Sequence, residues 1–250
     1  MEYGLCHLSM LSIRKENSHA SEMTSQLLYG DSYKVLEQQK KWLKIRGSLD
    51  QYEGWIARTQ FFEIDKDIYT GYQDQADHYS TDLINYVTTQ EGVLFPILLG
   101  SNLKATALFG HQFDEQAPKQ KPQKSDLVQT AFLYLNAPYL WGGKTPFGID
   151  CSGFVQMVYR INGQSLQRDA YQQAEQGQTL SFIEESEPGD LAFFDDKEGK
   201  IVHVGMLLEN HHIIHAHGKV RIDRVDQSGI FNSELQAHSH KLRMIKKVWP

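Results

Sequence analysis

The chain has little cysteine and no long hydrophobic run. Cys6 and Cys151 are its two cysteines among 250 residues, and such a distant pair does not make the disulfide framework of a small secreted domain. The longest apolar stretch, residues 92–100 (GVLFPILLG), is too short to cross a bilayer. We therefore expect neither a disulfide-stapled fold nor a membrane partner.

A surplus of positive charge is also missing. The formal net charge is -6 and no basic run stands out, so nucleic acid is not an expected partner. The first residues lack a basic segment followed by an apolar one, which predicts a cytoplasmic protein without a secretory signal for the chain as given. A length of 250 residues suits one large domain or two to three small ones.

The pattern of apolar residues divides the chain into four parts. Residues 1–60 contain short predicted strands, among them one with Leu43 and Ile45 on one face, and favour a small β-barrel. Residues 61–115 are interpreted as a second small β unit, although 81–88 (TDLINYVT) predict a short helix. Residues 116–124 are polar with two prolines and predict a linker. Residues 125–250 show helices followed by a run of strands, which indicates an α+β domain with an antiparallel sheet.

Cys151 is the first candidate for chemistry, because it follows a glycine-rich turn and opens a predicted helix. Unpaired N–H groups and the positive end of the helix dipole favour a nucleophilic thiolate there. The alternative is an inert buried cysteine. Asp150 would raise the thiol pKa if the two groups were close, so it is interpreted either as a helix cap or as an anchor for a cationic substrate group.

A nucleophilic cysteine needs a base, and the strand IVHVG supplies His203. A neighbouring strand, IIHAHG, carries His215, which would orient the base as the third member of a triad. The density of histidines at 211, 212, 215 and 217 also raises the alternative of a structural metal site. No second cysteine or carboxylate at ligand spacing completes such a site, so we expect no metal and no cofactor.

The string YLWGGKTPFGIDCSGFVQMVY closely resembles the nucleophile motif of the NlpC family of papain-like cysteine peptidases. Further pieces follow in the order of that family, namely RDAYQQAEQG, EPGDLAFF, HVGM and IIHAHGKVR. The segments SEMTSQLLYGDSYKVLE and WLKIRGSLDQYEGWI are similar to the first of the SH3-like domains that precede the catalytic domain in one subgroup. The resemblance implies an α+β fold, with a papain-like catalytic domain after one or two SH3-like β-barrels.

The resemblance also implies roles for individual residues. Cys151 would be the nucleophile, His203 the base, His215 the group that orients it, and Tyr139 a donor to the oxyanion. The subgroup comprises γ-D-glutamyl-L-diamino acid endopeptidases acting on murein-derived peptides with a free N-terminal L-alanine, such as L-Ala-γ-D-Glu-diaminopimelate. The implied substrate-binding residues are Glu22, Tyr52, Asp150, Ser152 and Asp169, with Ala170 where some relatives carry a hydroxyl.

Three other functions stay open at this point. A related cell-wall amidase or an acyltransferase would use the same thioester chemistry on Cys151. A catalytically inactive domain that binds wall peptides would keep the fold without the reaction. The order of cysteine, histidine and histidine along the chain favours the peptidase.

Overall fold

A computed structural model describes residues 2–114 and 122–249 of the chain. The chain forms two compact units that divide between residues 121 and 122. The predicted linker at 116–124 lies outside the described residues except for its last three, and Lys124 already begins a helix. No helix within the described ranges is long and apolar enough to cross a membrane.

The first unit is built mainly of strands. Its elements are β1 (Tyr3–Leu5), β2 (Met10–Arg14), β3 (Met23–Leu28), β4 (Ser32–Gln38), β5 (Trp42–Gly47), β6 (Glu53–Ala57), β7 (Glu63–Ile64), α1 (Lys66–Gln73), β8 (Ile84–Thr88), β9 (Leu94–Leu98) and α2 (Ala105–Phe109). Seven of these strands form one sheet in the order β3-β2-β6-β5-β4-β1-β7, and β8 pairs with β9 as a separate hairpin. The boundary predicted at residue 60 stays a prediction.

The alternation of side chains explains two strands of this unit. In β5, Leu43 and Ile45 are fully buried while the basic residues beside them stay partly exposed, as the sequence predicts. The helix predicted at 81–88 is wrong, because Ile84–Thr88 is strand β8. Val87 of β8 and Ile97 of β9 belong to the core that also contains Leu5 and Tyr29, and the two strands pair with each other along their length.

The second unit contains helices first and strands afterwards, as its sequence predicts. Its elements are α3 (Lys124–Leu133), β10 (Lys144–Thr145), β11 (Gly148–Ile149), α4 (Cys151–Ile161), α5 (Ala170–Gln173), β12 (Gln178–Leu180), β13 (Leu191–Asp195), β14 (Ile201–Leu208), β15 (His212–His217), β16 (Lys219–Asp226), β17 (Gly229–Asn232) and β18 (Ala237–Lys247). The predicted α+β fold class is therefore confirmed.

The main sheet of the second unit closes on itself. Its strands are antiparallel in the order β12-β18-β13-β14-β15-β16-β17, and the long strand β18 pairs with β17 as well as with β13. The interior is filled by apolar side chains from several strands, including Phe194, Leu207 and Ile213. Helix α4 is buried from Cys151 through Arg160, and it packs against β14 and β15, the strands that carry the predicted catalytic histidines.

Candidate active site

The start of α4 is shaped by Asp150 and by two glycines. Asp150 caps the helix, because its side chain accepts a hydrogen bond of 2.7 Å from the backbone N–H of Gly153. A side chain at Gly153 would place its Cβ 2.4 Å from the carbonyl oxygen of Gly143, a distance that real Cβ atoms do not reach. The glycine-rich loop and the helix start therefore need glycine to approach each other closely.

Asp150 is buried and its carboxylate is fully engaged within the protein. Arg168 donates to both carboxylate oxygens, at 2.6 and 3.0 Å, in the bidentate geometry of a strong ion pair. The backbone N–H of Gly142 donates at 2.8 Å and the hydroxyl of Ser152 at 3.2 Å. Because Arg168 is itself 1% exposed, this pair is shielded from water and holds the loop, the helix start and the segment before α5 together.

The thiol of Cys151 lies at the start of α4, beside strand β14. Burial, followed by the negative charge of Asp150, raises the pKa of Cys151 to about 12. The backbone N–H groups of Val204 and Ser152 and the charge of Arg168 act in the opposite direction, and their combined effect is smaller. The predicted preference for a thiolate is therefore wrong for the resting enzyme: the helix start contributes as expected, but burial of the sulfur outweighs it.

The two predicted histidines are hydrogen-bonded to each other. His203 on β14 and His215 on β15 are both buried, and His203 Nε2 lies 2.8 Å from His215 Nδ1. His215 Nε2 lies 3.0 Å from a carboxylate oxygen of Asp223 on β16. The strands approach closely because β15 places His215 opposite Gly205, where a Cβ would lie 2.8 Å from that of His215.

Other histidines surround the ring of His203. The ring of His240 on β18 stacks on it, with centroids 4.2 Å apart and planes 26° apart, and His217 meets His240 edge to face at 4.9 Å. Burial lowers the pKa of His203 well below its usual range, and positive charge on His215, His240 or His217 would lower it further. Since the raised pKa of Cys151 also favours its neutral form, Cys151 and His203 rest as thiol and imidazole rather than as an ion pair.

Tyr139 lies in the loop between α3 and β10, and its side chain is exposed. Burial of its hydroxyl, followed by the charges of Cys151 and Asp150, raises the pKa of Tyr139 to about 12. The phenol therefore stays protonated at neutral pH and keeps a hydrogen to donate. The charge of a Cys151 thiolate acts on this hydroxyl, and the role of Tyr139 as an oxyanion donor stays a prediction.

The predicted substrate-binding residues divide between the two units. Ser152 is buried and bridges Asp150 and Arg168, and Asp169 caps the short helix α5 while staying partly exposed. In the first unit, Glu22 precedes β3 and forms an ion pair with Lys15 at 3.5 Å. Tyr52, between β5 and β6, is partly buried. Their roles in substrate binding stay predictions.

The alternative of a metal site has no geometric support in the part of the chain that the structure describes. No group of three or more histidine, cysteine or acidic side chains there is arranged to hold a metal ion. His211 lies in the turn between β14 and β15 with a φ of 56°, outside the strand that carries His215. The histidines that do cluster are hydrogen-bonded or stacked on each other.

Sequence reasoning assigned no role to four residues of this site. Arg168 follows a leucine and a glutamine in an otherwise polar segment, and its partner Asp150 is 18 residues away. Arg221 and Asp223 are two residues apart on β16, a spacing that predicts a shared face of the strand but not which residues that face contacts. His240 is 37 residues from His203 in sequence, and only the strand order, with β13 between β14 and β18, relates the two rings.

Comparison with known proteins gives the class of protein that this fold and site define. The sequence model of the NlpC/P60 family matches residues 136–239, and that of the bacterial dipeptidyl-peptidase SH3 domain matches residues 13–61. The chain belongs to the NlpC/P60 family and is a cysteine peptidase with an SH3-like domain before its papain-like catalytic domain.

Individual relatives support this assignment over most of the chain. A γ-D-glutamyl-L-lysine dipeptidyl-peptidase of Bacillus subtilis (strain 168) is 30% identical over 77% of this chain and 71% of its own length. Dipeptidyl-peptidase 6 of Lysinibacillus sphaericus is 27% identical over 87% of this chain and 90% of its own. The crystal structure of an NlpC/P60 family protein from Bacillus cereus ATCC 10987 superposes with a TM-score of 0.80 over 99% of this chain and 100% of that one; at 16% identity it supports the fold alone.

Proposed function

We propose that this enzyme hydrolyses the γ-D-Glu–L-diamino acid bond of murein-derived peptides that have a free N-terminal L-alanine. The relatives from Bacillus subtilis and Lysinibacillus sphaericus, whose names describe dipeptidyl-peptidases, support a peptide substrate of this kind. The observation that carries the proposal is a buried thiol at the start of a helix that packs on the two strands carrying a hydrogen-bonded pair of histidines. This is the arrangement that nucleophilic attack on an amide requires.

The reaction that we assign to this site passes through a thioester. As the sulfur of Cys151 attacks the γ-carbonyl carbon of D-glutamate, His203 takes the thiol proton, and Tyr139 donates a hydrogen bond to the developing oxyanion. The tetrahedral intermediate then collapses, the carbon–nitrogen bond breaks, and the leaving amine takes the proton from His203. Water, deprotonated by the same imidazole, hydrolyses the thioester and restores the thiol.

The thiol of Cys151 and the imidazole of His203 are both neutral before the reaction, so the proton moves from sulfur to nitrogen during the attack. His203 with a lowered pKa is unprotonated at neutral pH, so its free nitrogen is available as a base from the outset. The Cys151 proton leaves only when a carbonyl carbon accepts the sulfur electrons, because a buried thiolate beside Asp150 is unfavourable. Catalysis of this kind is general-base catalysis rather than attack by a preformed ion pair.

A free N-terminal amine is the second requirement of the proposal. In the second unit, the carboxylate of Asp150 is already paired with Arg168. We therefore assign direct contact with the ammonium group to the partly exposed Asp169, and an indirect electrostatic role to Asp150. Glu22 and Tyr52 of the first unit keep the substrate-binding roles that the family resemblance implies. An acetylated alanine would leave Asp169 without its cation, which makes such a substrate unfavourable.

The experiment is digestion of L-Ala-γ-D-Glu-meso-diaminopimelate and of the corresponding L-lysine peptide, each free and N-acetylated, with products followed by mass spectrometry. Release of Ala-Glu from the free peptides alone supports both the bond and the amine requirement. Equal cleavage of the acetylated forms contradicts the amine requirement. If none of the four peptides is cleaved, the proposed substrate is contradicted. Cys151→Ala should abolish hydrolysis with the fold intact, and retained turnover in that variant would contradict the mechanism.

A further inference from the structure

The hydrogen-bond chain that begins at the predicted base does not end at the second histidine. His215 Nε2 lies 3.0 Å from Oδ2 of Asp223, which is 6% exposed on the neighbouring strand β16. In the register of β15 and β16, Ile213 pairs with Asp223 and His215 pairs with Arg221. The carboxylate is thus the diagonal cross-strand neighbour of His215, within reach of its ring.

Arg221 holds this carboxylate in its ionised form. Its Nε lies 2.7 Å from Oδ2 of Asp223, and a terminal guanidinium nitrogen donates to Oδ1 at 3.0 Å. Burial acts to raise the pKa of Asp223, but hydrogen bonds from His215 and Arg221 outweigh it, so the pKa lies below its usual value. An ionised carboxylate accepts hydrogen bonds and donates none.

The tautomers of both histidines follow from that charge. Because Asp223 only accepts, His215 Nε2 must carry a hydrogen, and the Nδ1 of a neutral His215 is then an acceptor. The 2.8 Å contact to His203 requires the hydrogen to lie on His203 Nε2. In neutral His203 the remaining nitrogen, Nδ1, is therefore the one with a free lone pair, and it is the only ring nitrogen left for the thiol of Cys151.

We propose that Asp223 is a positioning residue of this peptidase, which fixes the tautomers of His215 and His203 so that His203 presents an unprotonated Nδ1 to Cys151. The proposal rests on the proposed roles of Cys151 and His203. A neutral amide at position 223 can donate to His215 Nε2 instead of accepting from it. The direction of both hydrogen bonds between Asp223 and His203 then reverses. His203 carries its hydrogen on Nδ1, so this nitrogen has no lone pair to accept the thiol proton.

The charged and titratable groups around the hydrogen bonds from Asp223 to His203 come mainly from four strands. They are His203 on β14, His215 and His217 on β15, Arg221 and Asp223 on β16, and His240 on β18, with Glu234 bonded to Arg221 from the loop after β17. Only Asp223 among them is a buried carboxylate bonded to a histidine of the pair. Substitution of Asp223 therefore tests directly which way the hydrogen bonds between Asp223, His215 and His203 point.

The experiment compares Asp223→Asn with Asp226→Asn. Asp226 lies three residues further along the same strand and accepts a hydrogen bond of 2.9 Å from His238 Nε2, but both partners are exposed and lie outside the chain that leads to Cys151. We expect Asp223→Asn to lower kcat about 100-fold or more with KM changed less than about threefold, because the general-base contribution is lost, and Asp226→Asn to change neither. Wild-type kcat in folded Asp223→Asn overturns the proposal.

Two readouts do not depend on turnover of a peptide. Alkylation of Cys151 by iodoacetamide at neutral pH should slow in Asp223→Asn as kcat does and stay unchanged in Asp226→Asn. In the native protein labelled with ¹⁵N-histidine, long-range proton–nitrogen correlation should place the His215 hydrogen on Nε2. A His215 hydrogen on Nδ1 overturns the proposal even if Asp223→Asn fails to fold. If the native enzyme cleaves none of the peptides, the proposed function fails while these readouts still decide the role of Asp223.

Discussion

Replacement of Arg168 by methionine tests whether the buried ion pair at the nucleophile loop stabilises the catalytic unit. The substitution keeps a long apolar side chain and removes the guanidinium that donates to both oxygens of Asp150 and to Ser152 Oγ at 2.9 Å. Asp150, which is 5% exposed, then keeps a negative charge that no cation offsets. The same charge raises the pKa of Cys151 further, so activity should fall together with stability.

The magnitude follows from the contacts that remain. Breaking a buried ion pair by removing one partner costs about 3–5 kcal/mol, because it leaves an uncompensated buried charge. The N–H groups of Gly142 and Gly153 and the hydroxyl of Ser152 still donate to Asp150, so the lower end of that range applies. We expect Arg168→Met to lose about 3 kcal/mol of unfolding free energy, or roughly 10 °C in Tm.

Urea unfolding followed by circular dichroism measures this loss. Lys200→Met is the matched control, because Lys200 and Glu198 form an ion pair of 2.7 Å with both side chains about 70% exposed, and we expect a change below about 0.5 kcal/mol. The double variant Asp150→Asn/Arg168→Met buries no charge and should be more stable than Arg168→Met alone. The reasoning is refuted if Arg168→Met stays within about 1 kcal/mol of wild type, or if the double variant is the less stable one.

Two further predictions concern the histidine pair. Because the pKa of His203 is lowered, the base stays unprotonated as the pH falls, so the acidic limb of the pH profile of kcat/KM should lie well below the usual histidine value of 6.5; a limb at or above 6.5 contradicts the neutral pair. Gly205→Ala would bring a Cβ to 2.7 Å from Ile213 and 2.8 Å from His215, so we expect a loss of about 1–3 kcal/mol in urea unfolding and a lower kcat. Gly71→Ala is the control: its Cβ would meet nothing within 4 Å, so kcat should stay unchanged, and because Gly71 lies in α1 the stability should rise by at most about 1 kcal/mol.

The residues of the site differ in how far sequence alone predicts them. The strand IVHVGMLL coincides with β14 and the helix begins at Cys151, because turn chemistry and apolar period are local signals. The state of the Cys151 thiol depends on burial by distant segments, so the helix start alone led to the wrong prediction of a thiolate. Asp223 and Arg168 depend on register and on loop packing, which no local pattern contains.

The misassigned segment at 81–88 has a similar physical explanation. Thr81 and the apolar residues after it fit a capped helical turn, and eight residues are too few to distinguish that period from alternation. Pairing with Leu94–Leu98 decides the outcome, because β9 supplies the hydrogen bonds and the core accepts Val87 and Ile97 together. The strand is thus selected by a partner that lies several residues ahead in the chain.

The uncharged thiol at the start of α4 also determines how this enzyme meets oxidants. Peroxide oxidises thiolates to sulfenic acid and reacts slowly with thiols. Because burial and the charge of Asp150 raise the pKa of Cys151 to about 12, the neutral thiol predominates at neutral pH. We therefore expect Cys151 to react slowly with peroxide between turnovers, and to become nucleophilic as His203 takes its proton.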